Sequence, residues 1–152
     1  MSRRNRIIAI TLSFLCSILA VQVAYAQNRP CADLEVRRSL DEGDRLRTWD
    51  ALYNSYKTFG RCDDGALGEG YSESVARILA DHWNTLPRFV QLAAQNVAFR
   101  AFVIRHLDAT LNMDDVVKIK HDAQTHCPSG LRKTCNDMVK QANATLEDYV
   151  SP

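Results

Sequence analysis

The sequence has 152 residues, of which 46% are hydrophobic, 24% are charged and 8% are aromatic, and it contains only four prolines and six glycines. This composition is typical of one globular domain and excludes a collagenous or Pro/Gly-rich disordered chain. Three of the 19 basic residues and none of the 18 acidic residues fall in the first 26 positions, so the remainder carries 16 basic residues and a net charge of −2. Because such a protein is not attracted to polyanions, we predict neither a nucleic acid nor an anionic membrane as its partner.

The first 26 residues have the pattern of a cleaved secretory signal peptide. Residues 1–6 are basic, residues 7–21 form an apolar run, and Ala24-Tyr25-Ala26 fits a signal peptidase site before Gln27. The run is shorter than the roughly 20 residues of a transmembrane helix. An uncleaved anchor and a lipoprotein modified at Cys16 are the alternatives, although Leu15 precedes that cysteine where a small residue is normally required. The sequence therefore predicts an exported, periplasmic domain over residues 27–152 with no membrane contact after cleavage.

Four cysteines remain in that domain, an even number that predicts two disulfides in an oxidising compartment. A turn-forming Pro-Ser-Gly segment separates Cys127 from Cys135, which favours a local bridge between them. The second predicted bridge joins Cys31 to Cys62. A free catalytic thiol is the alternative, but this pairing leaves no cysteine for it.

Apolar residues recur at helical spacing along most of the domain, and alternation typical of strands is scarce. The stripes lie in residues 49–59, 75–83, 87–92, 99–107, 116–123 and 131–146, and residues 33–40 form a weaker candidate helix. Connections between them are short, which suits antiparallel neighbours. We predict an all-α fold, a compact single-domain bundle of about six helices with two disulfides.

Local signals mark several helix ends. Gly60 should end the first helix, Ser72 should cap the second, Pro87 should open the third, and Asn112 should cap the fifth, with two aspartates in its first turn. Residues 99–104 are apolar on more than one face, which is typical of a helix that is either central or at a dimer interface.

Residues 60–71 hold four of the six glycines together with three acidic residues and one tyrosine. This composition predicts a loop longer than most connections, which is either a solvated link fixed by Cys62 or a surface that binds a partner. Its acidic residues do not follow the spacing of a calcium loop, so we predict no metal there. If the segment binds a partner, the candidate contacts are Asp63, Asp64, Glu69 and Tyr71.

The sequence contains none of the common catalytic or nucleotide-binding motifs, and its four histidines are too scattered to suggest a shared metal. We therefore predict a protein that acts by binding, without cofactor, metal or catalytic residues.

Spaced residues over roughly positions 45–142 resemble the periplasmic immunity proteins that protect bacteria from type VI secreted amidases, in particular the group paired with family-four amidase effectors. The matching segments are Cys62-Asp63-Asp64-Gly65, residues 69–73, residues 75–83, residues 102–110, Asp114-Asp115, Cys127-Pro128 and Cys135. The resemblance implies a small, exported, helical protein that forms homodimers. It also implies that the protein binds an NlpC/P60-like peptidoglycan amidase and plugs the cleft that holds the Cys–His pair of the enzyme.

Two other functions remain open from the sequence. One is a structural or adaptor protein of the cell envelope, and the other is a small hydrolase in its own right. A gene for a secreted hydrolase next to this one would favour the immunity function.

Overall fold

A computed structural model describes Cys31 and residues 46–151. The predicted signal peptide with its cleavage site before Gln27, and the candidate helix over residues 33–40, lie outside the described residues. Six α-helices follow one another in the described part: α1 (Trp49–Phe59), α2 (Gly65–Asp81), α3 (Leu86–Gln95), α4 (Val97–Arg105), α5 (Met113–Thr125) and α6 (Arg132–Val150).

The prediction of an all-α fold is confirmed, because residues 46–151 contain helices, two short 3-10 turns and no strand. The 3-10 turns are Gly60–Cys62, after α1, and Trp83–Thr85, before α3. The α5 and α6 helices make the most extensive helix–helix contact of this region. No helix within residues 46–151 has the length and apolar character needed to cross a membrane.

The predicted helix ends are largely confirmed, because short-range capping chemistry fixes them. The first helix ends at Phe59, immediately before Gly60, and Pro87 lies in the first turn of α3. The Asn112 side chain accepts a hydrogen bond of 2.8 Å from the backbone N–H of Asp114, and this caps α5 as predicted. Asn96 caps α4 in the same way through the N–H of Phe99.

An aromatic cluster forms the centre of the core, and α4 lies within it. The ring of Phe102 lies 4.8 Å from Tyr56 and 4.9 Å from Tyr71, measured between centroids, and Phe99 lies 4.8 Å from Tyr53. Phe99, Phe102 and Val103 are all completely buried. The apolar character of residues 99–104 is therefore explained by central burial within the chain.

The predicted disulfide between Cys127 and Cys135 is confirmed, with the two Cα atoms 6.1 Å apart. It closes the turn between α5 and α6, in which Gly130 has a φ of +80° that a side chain would strain. Cys31 and Cys62 are each disulfide-bonded as well.

Replacing both Cys127 and Cys135 with alanine should lower the free energy of unfolding by about 2–3 kcal/mol, since the bridge limits the freedom of the unfolded chain between them. Urea unfolding at neutral pH measures this effect. The variant Ser129→Ala, in the same exposed turn, should unfold like the wild type. An unchanged midpoint in the double variant would show that the α5–α6 contact holds the turn without the bridge.

Candidate functional site

The glycine-rich segment 60–71 is mostly helical, so the prediction of a long loop is wrong. Only Asp63 and Asp64 link the 3-10 turn to α2, which begins at Gly65. The Asp64 carboxylate caps α2 by accepting a hydrogen bond of 2.8 Å from the N–H of Gly65. Leu67 and Tyr71 then continue the buried stripe of the helix, and their burial outweighs the helix-breaking tendency of glycine, about 1 kcal/mol per residue.

The predicted N-cap at Ser72 is wrong for the same reason. Ser72 lies in the interior of α2, and only 2% of the residue is exposed. Its hydroxyl contacts His106 and Asp108, which lie 34 and 36 positions further along the chain.

Tyr71, one of the four candidate contacts, lies in the core with 0% exposure. Its hydroxyl lies 3.0 Å from the Ser55 hydroxyl, and its ring packs edge-on against Phe102. Tyr71 is therefore a packing residue and cannot serve as a surface anchor for a partner. The signal that could have revealed this is its i, i+4 spacing to Leu67 and Val75.

Asp63, the second candidate contact, is also buried, with 8% of its side chain exposed. Its Oδ2 atom accepts hydrogen bonds from the Arg105 guanidinium and, at 3.2 Å, from Nε2 of His106. Burial on its own would raise the pKa of Asp63, but the hydrogen bonds and charges of His106 and Arg105 outweigh it and hold the pKa below 3.8. Asp63 therefore joins the start of α2 to the end of α4.

Asp64 and Glu69, the other two candidates, are exposed, as is Glu73 one turn further along α2. Glu73 pairs with Arg77 at 3.1 Å, and no ion pair of Glu69 occurs within residues 46–151. Glu69 and Glu73 line a surface concavity of about 410 Å³ together with Thr110 and Leu111. We refer to these exposed carboxylates, Asp64 at the cap of α2 and Glu69 and Glu73 one turn apart on the helix, as the acidic face of α2.

Beneath the acidic face lies a buried group with the residue types of a Ser-His-Asp triad. The Ser72 hydroxyl lies 2.9 Å from Nδ1 of His106, whose Nε2 lies 3.2 Å from Asp63. However, the Ser72 hydroxyl donates to Asp108 at 2.6 Å, so its proton points away from the imidazole, and the side chain is enclosed. This group connects helices and does not present a nucleophile to a substrate.

A second charged cluster links α2 to the end of α5. Burial alone would raise the pKa of Asp122, but hydrogen bonds from Lys118 and His126 lower it below its ordinary value. Lys118 also donates to the backbone carbonyl of Ala80 in α2. Within residues 46–151 and Cys31, no three His, Cys, Asp or Glu side chains are grouped as metal ligands.

The lowered pKa values of Asp63 and Asp122 predict loss of stability in acid. A carboxylate whose pKa is lower in the folded state stabilises the fold fully above the unfolded value, near 3.8, and loses that contribution as the pH falls through the folded value. Thermal unfolding followed by circular dichroism should therefore show a falling Tm below about pH 4. The variant Asp122→Asn should have a lower Tm at neutral pH and a weaker acid dependence. Equal acid slopes for this variant and the wild type would contradict the assignment.

Replacing Tyr71 with phenylalanine should lower the free energy of unfolding by about 1 kcal/mol, because the ring stays packed and only the buried hydroxyl contact with Ser55 is lost. Chemical denaturation measures the loss. Binding to any partner should be unchanged at a protein concentration where the variant is folded. A large loss of binding by the folded variant would indicate that Tyr71 contacts the partner.

Comparison with protein-family models, with curated proteins and with solved structures gives no match to this chain. The resemblance to the amidase immunity proteins therefore stays a prediction from the residues quoted for it.

Proposed function

We propose that this protein is a periplasmic immunity protein that binds a type VI secreted peptidoglycan amidase and blocks its active-site cleft. The observation that carries the proposal, beside the sequence resemblance, is the acidic face of α2. Its three carboxylates are exposed: Asp64 caps the helix, and Glu69 and Glu73, one turn apart, line a concavity of about 410 Å³.

The charge of this face suits the proposed partner. The resemblance implies an amidase with a Cys–His pair, and the imidazolium of such a pair attracts carboxylates placed at the mouth of its cleft. Acidic groups near a helix N-terminus are also stabilised by the helix dipole, and the N–H of Gly65 holds the Asp64 carboxylate in place without a partner. Electrostatic attraction of this kind speeds association and selects between partners more than it sets the final affinity.

The rigidity of the face also supports the proposal. Asp63 is held by Arg105 and His106, Ser72 is held by Asp108, and Cys62 is disulfide-bonded. A surface fixed in this way loses little conformational entropy on binding. The proposed plug is therefore a helical segment with a structured support, in place of the long loop predicted from the glycine content.

The proposed periplasmic location rests on the disulfide bonds. Disulfides persist in oxidising compartments, and the cysteines 31, 62, 127 and 135 are all disulfide-bonded. This is compatible with export to the periplasm by the predicted signal peptide. The homodimer implied by the resemblance belongs to the proposal as well, and light scattering that shows only monomer at high concentration would contradict that part.

Titration calorimetry with the secreted amidase encoded beside the gene tests the proposal. We expect saturable binding that weakens as salt concentration rises, because exposed carboxylates contribute to it. An amidase of an unrelated effector family is the matched control and should give no heat. Absence of heat with the adjacent amidase would refute the proposal and favour an envelope adaptor.

A further inference from the structure

Four polar side chains form one continuous hydrogen-bonded chain beneath the start of α2. The order is Asp108, Ser72, His106 and Asp63, with successive separations of 2.6, 2.9 and 3.2 Å. Only 4% of His106 is exposed, and its ring lies 4.3 Å from the ring of Phe102, measured between centroids. The imidazole is therefore shielded from water, and its two ring nitrogens form hydrogen bonds with Ser72 and Asp63.

The hydrogen bonds fix the number of protons on the imidazole. The Asp108 carboxylate can only accept, so the single hydroxyl proton of Ser72 is committed to it. The Ser72 oxygen must then accept from Nδ1 of His106. On the other side of the ring, the Asp63 carboxylate must accept from Nε2. Both ring nitrogens act as donors, which is the pattern of an imidazolium and of neither neutral tautomer.

We propose that His106 is protonated on both ring nitrogens in the folded protein and forms a pH-sensitive clasp between the start of α2 and the segment that follows α4. Loss of one ring proton leaves a nitrogen lone pair facing either the Ser72 oxygen or the Asp63 carboxylate. That contact is repulsive, and it leaves a buried acceptor without its donor. The clasp is therefore closed at acidic to neutral pH and loosens as the pH rises.

The charged and titratable groups around His106 favour the cation. Asp63 precedes α2, and Asp108 follows α4 with a carboxylate oxygen 4.0 Å from Nδ1. The opposing cation is Arg105, which shares the Asp63 carboxylate and is half-exposed to water. From the helices packed against this group, Tyr71 of α2 contributes a neutral ring 5.8 Å away, and Tyr149 of α6 lies near Asp108. Burial, followed by the charge of Asp108, raises the pKa of Tyr149, so this phenol stays neutral through the same pH range.

The clasp holds Asp63, next to Asp64, and Ser72, between Glu69 and Glu73, so its opening would release the first turns of α2. The protonation of His106 is a property of the folded protein alone and does not depend on the proposed function. It can therefore fail while the amidase proposal stands, and the reverse also holds.

Nuclear magnetic resonance of the wild-type protein labelled with ¹⁵N-histidine tests the protonation directly. At neutral pH we expect His106 to show two protonated ring nitrogens, each with a slowly exchanging N–H signal. The exposed His82 serves as the internal reference, and the variant His106→Gln assigns the resonances by their disappearance. An unprotonated ring nitrogen on His106 at neutral pH would overturn the proposal.

Thermal unfolding between about pH 6 and pH 9 tests the consequence. An imidazolium held only in the folded state makes stability decrease as the pH rises, so the Tm should be lower by about 5 °C at the alkaline end. The variant His106→Gln should lack this dependence, and the control His82→Gln should keep it. Parallel profiles for the wild type and His106→Gln would overturn the proposal, and if that variant does not fold, the resonance measurement on the wild type decides.

Discussion

Replacing Asp63 with asparagine should lower the free energy of unfolding by about 2 kcal/mol, the typical value of a hydrogen bond to a charged group. The carboxylate is 8% exposed and accepts hydrogen bonds from both Arg105 and His106. The asparagine amide would place donor hydrogens among these donors, so part of the network would be left unsatisfied. Urea unfolding at neutral pH measures the loss.

The variant Asp64→Asn is the matched control for this prediction. Asp64 is the next residue in the chain, but it is exposed, and asparagine caps a helix as well as aspartate does. Its free energy of unfolding should therefore stay within about 0.5 kcal/mol of the wild-type value. Similar losses in the two variants would mean that the hydrogen bonds of the Asp63 carboxylate contribute nothing specific to stability.

Neutralising the acidic face should weaken binding to the amidase at least about tenfold while leaving the fold intact. The suitable variant combines Asp64→Ser with Glu69→Gln. Serine keeps an oxygen that can cap α2, and Glu69 is exposed, so little stability should be lost. A triple alanine variant that includes Asp63 would be a poor probe, because it would also remove the hydrogen bonds that Asp63 accepts from Arg105 and His106.

The control removes the same two charges elsewhere, with Glu147→Gln and Asp148→Asn on the exposed surface of α6. Both double variants change the net charge by the same amount, so long-range attraction is matched between them. Calorimetry should show weakened binding only for the variant of the acidic face. Equal affinities for the two variants would place the interface elsewhere on the molecule.

The helices could be predicted from the sequence where local chemistry determines them. Asn112 starts α5 because its side chain accepts a hydrogen bond from the N–H of Asp114, a near neighbour. Gly60 follows the last residue of α1 as predicted, but with an ordinary φ of −60°, and the chain continues as a 3-10 turn. The start of α2 could not be predicted in this way, since the local glycine content of residues 60–71 opposes a helix. The burial of Leu67 and Tyr71 against the rest of the core decides that segment.

The candidate site could be predicted only in part, because burial depends on contacts between distant residues. Asp64 and Glu69 are exposed as expected, whereas the adjacent Asp63 faces His106, 43 positions further along the chain. Nothing in the local sequence distinguishes these two aspartates. The hydrogen bonds of Ser72 to His106 and Asp108 could not be predicted from the sequence for the same reason, because these residues meet only after α2 and α4 have packed together.

The most direct test of the proposed function is the digestion of purified peptidoglycan by the adjacent amidase in the presence of this protein. If the protein blocks the active-site cleft, release of peptide-stem products should stop at equimolar concentration, and the variant Asp64→Ser with Glu69→Gln should require more protein for the same inhibition. Undiminished digestion with the wild-type protein in large excess would contradict the account.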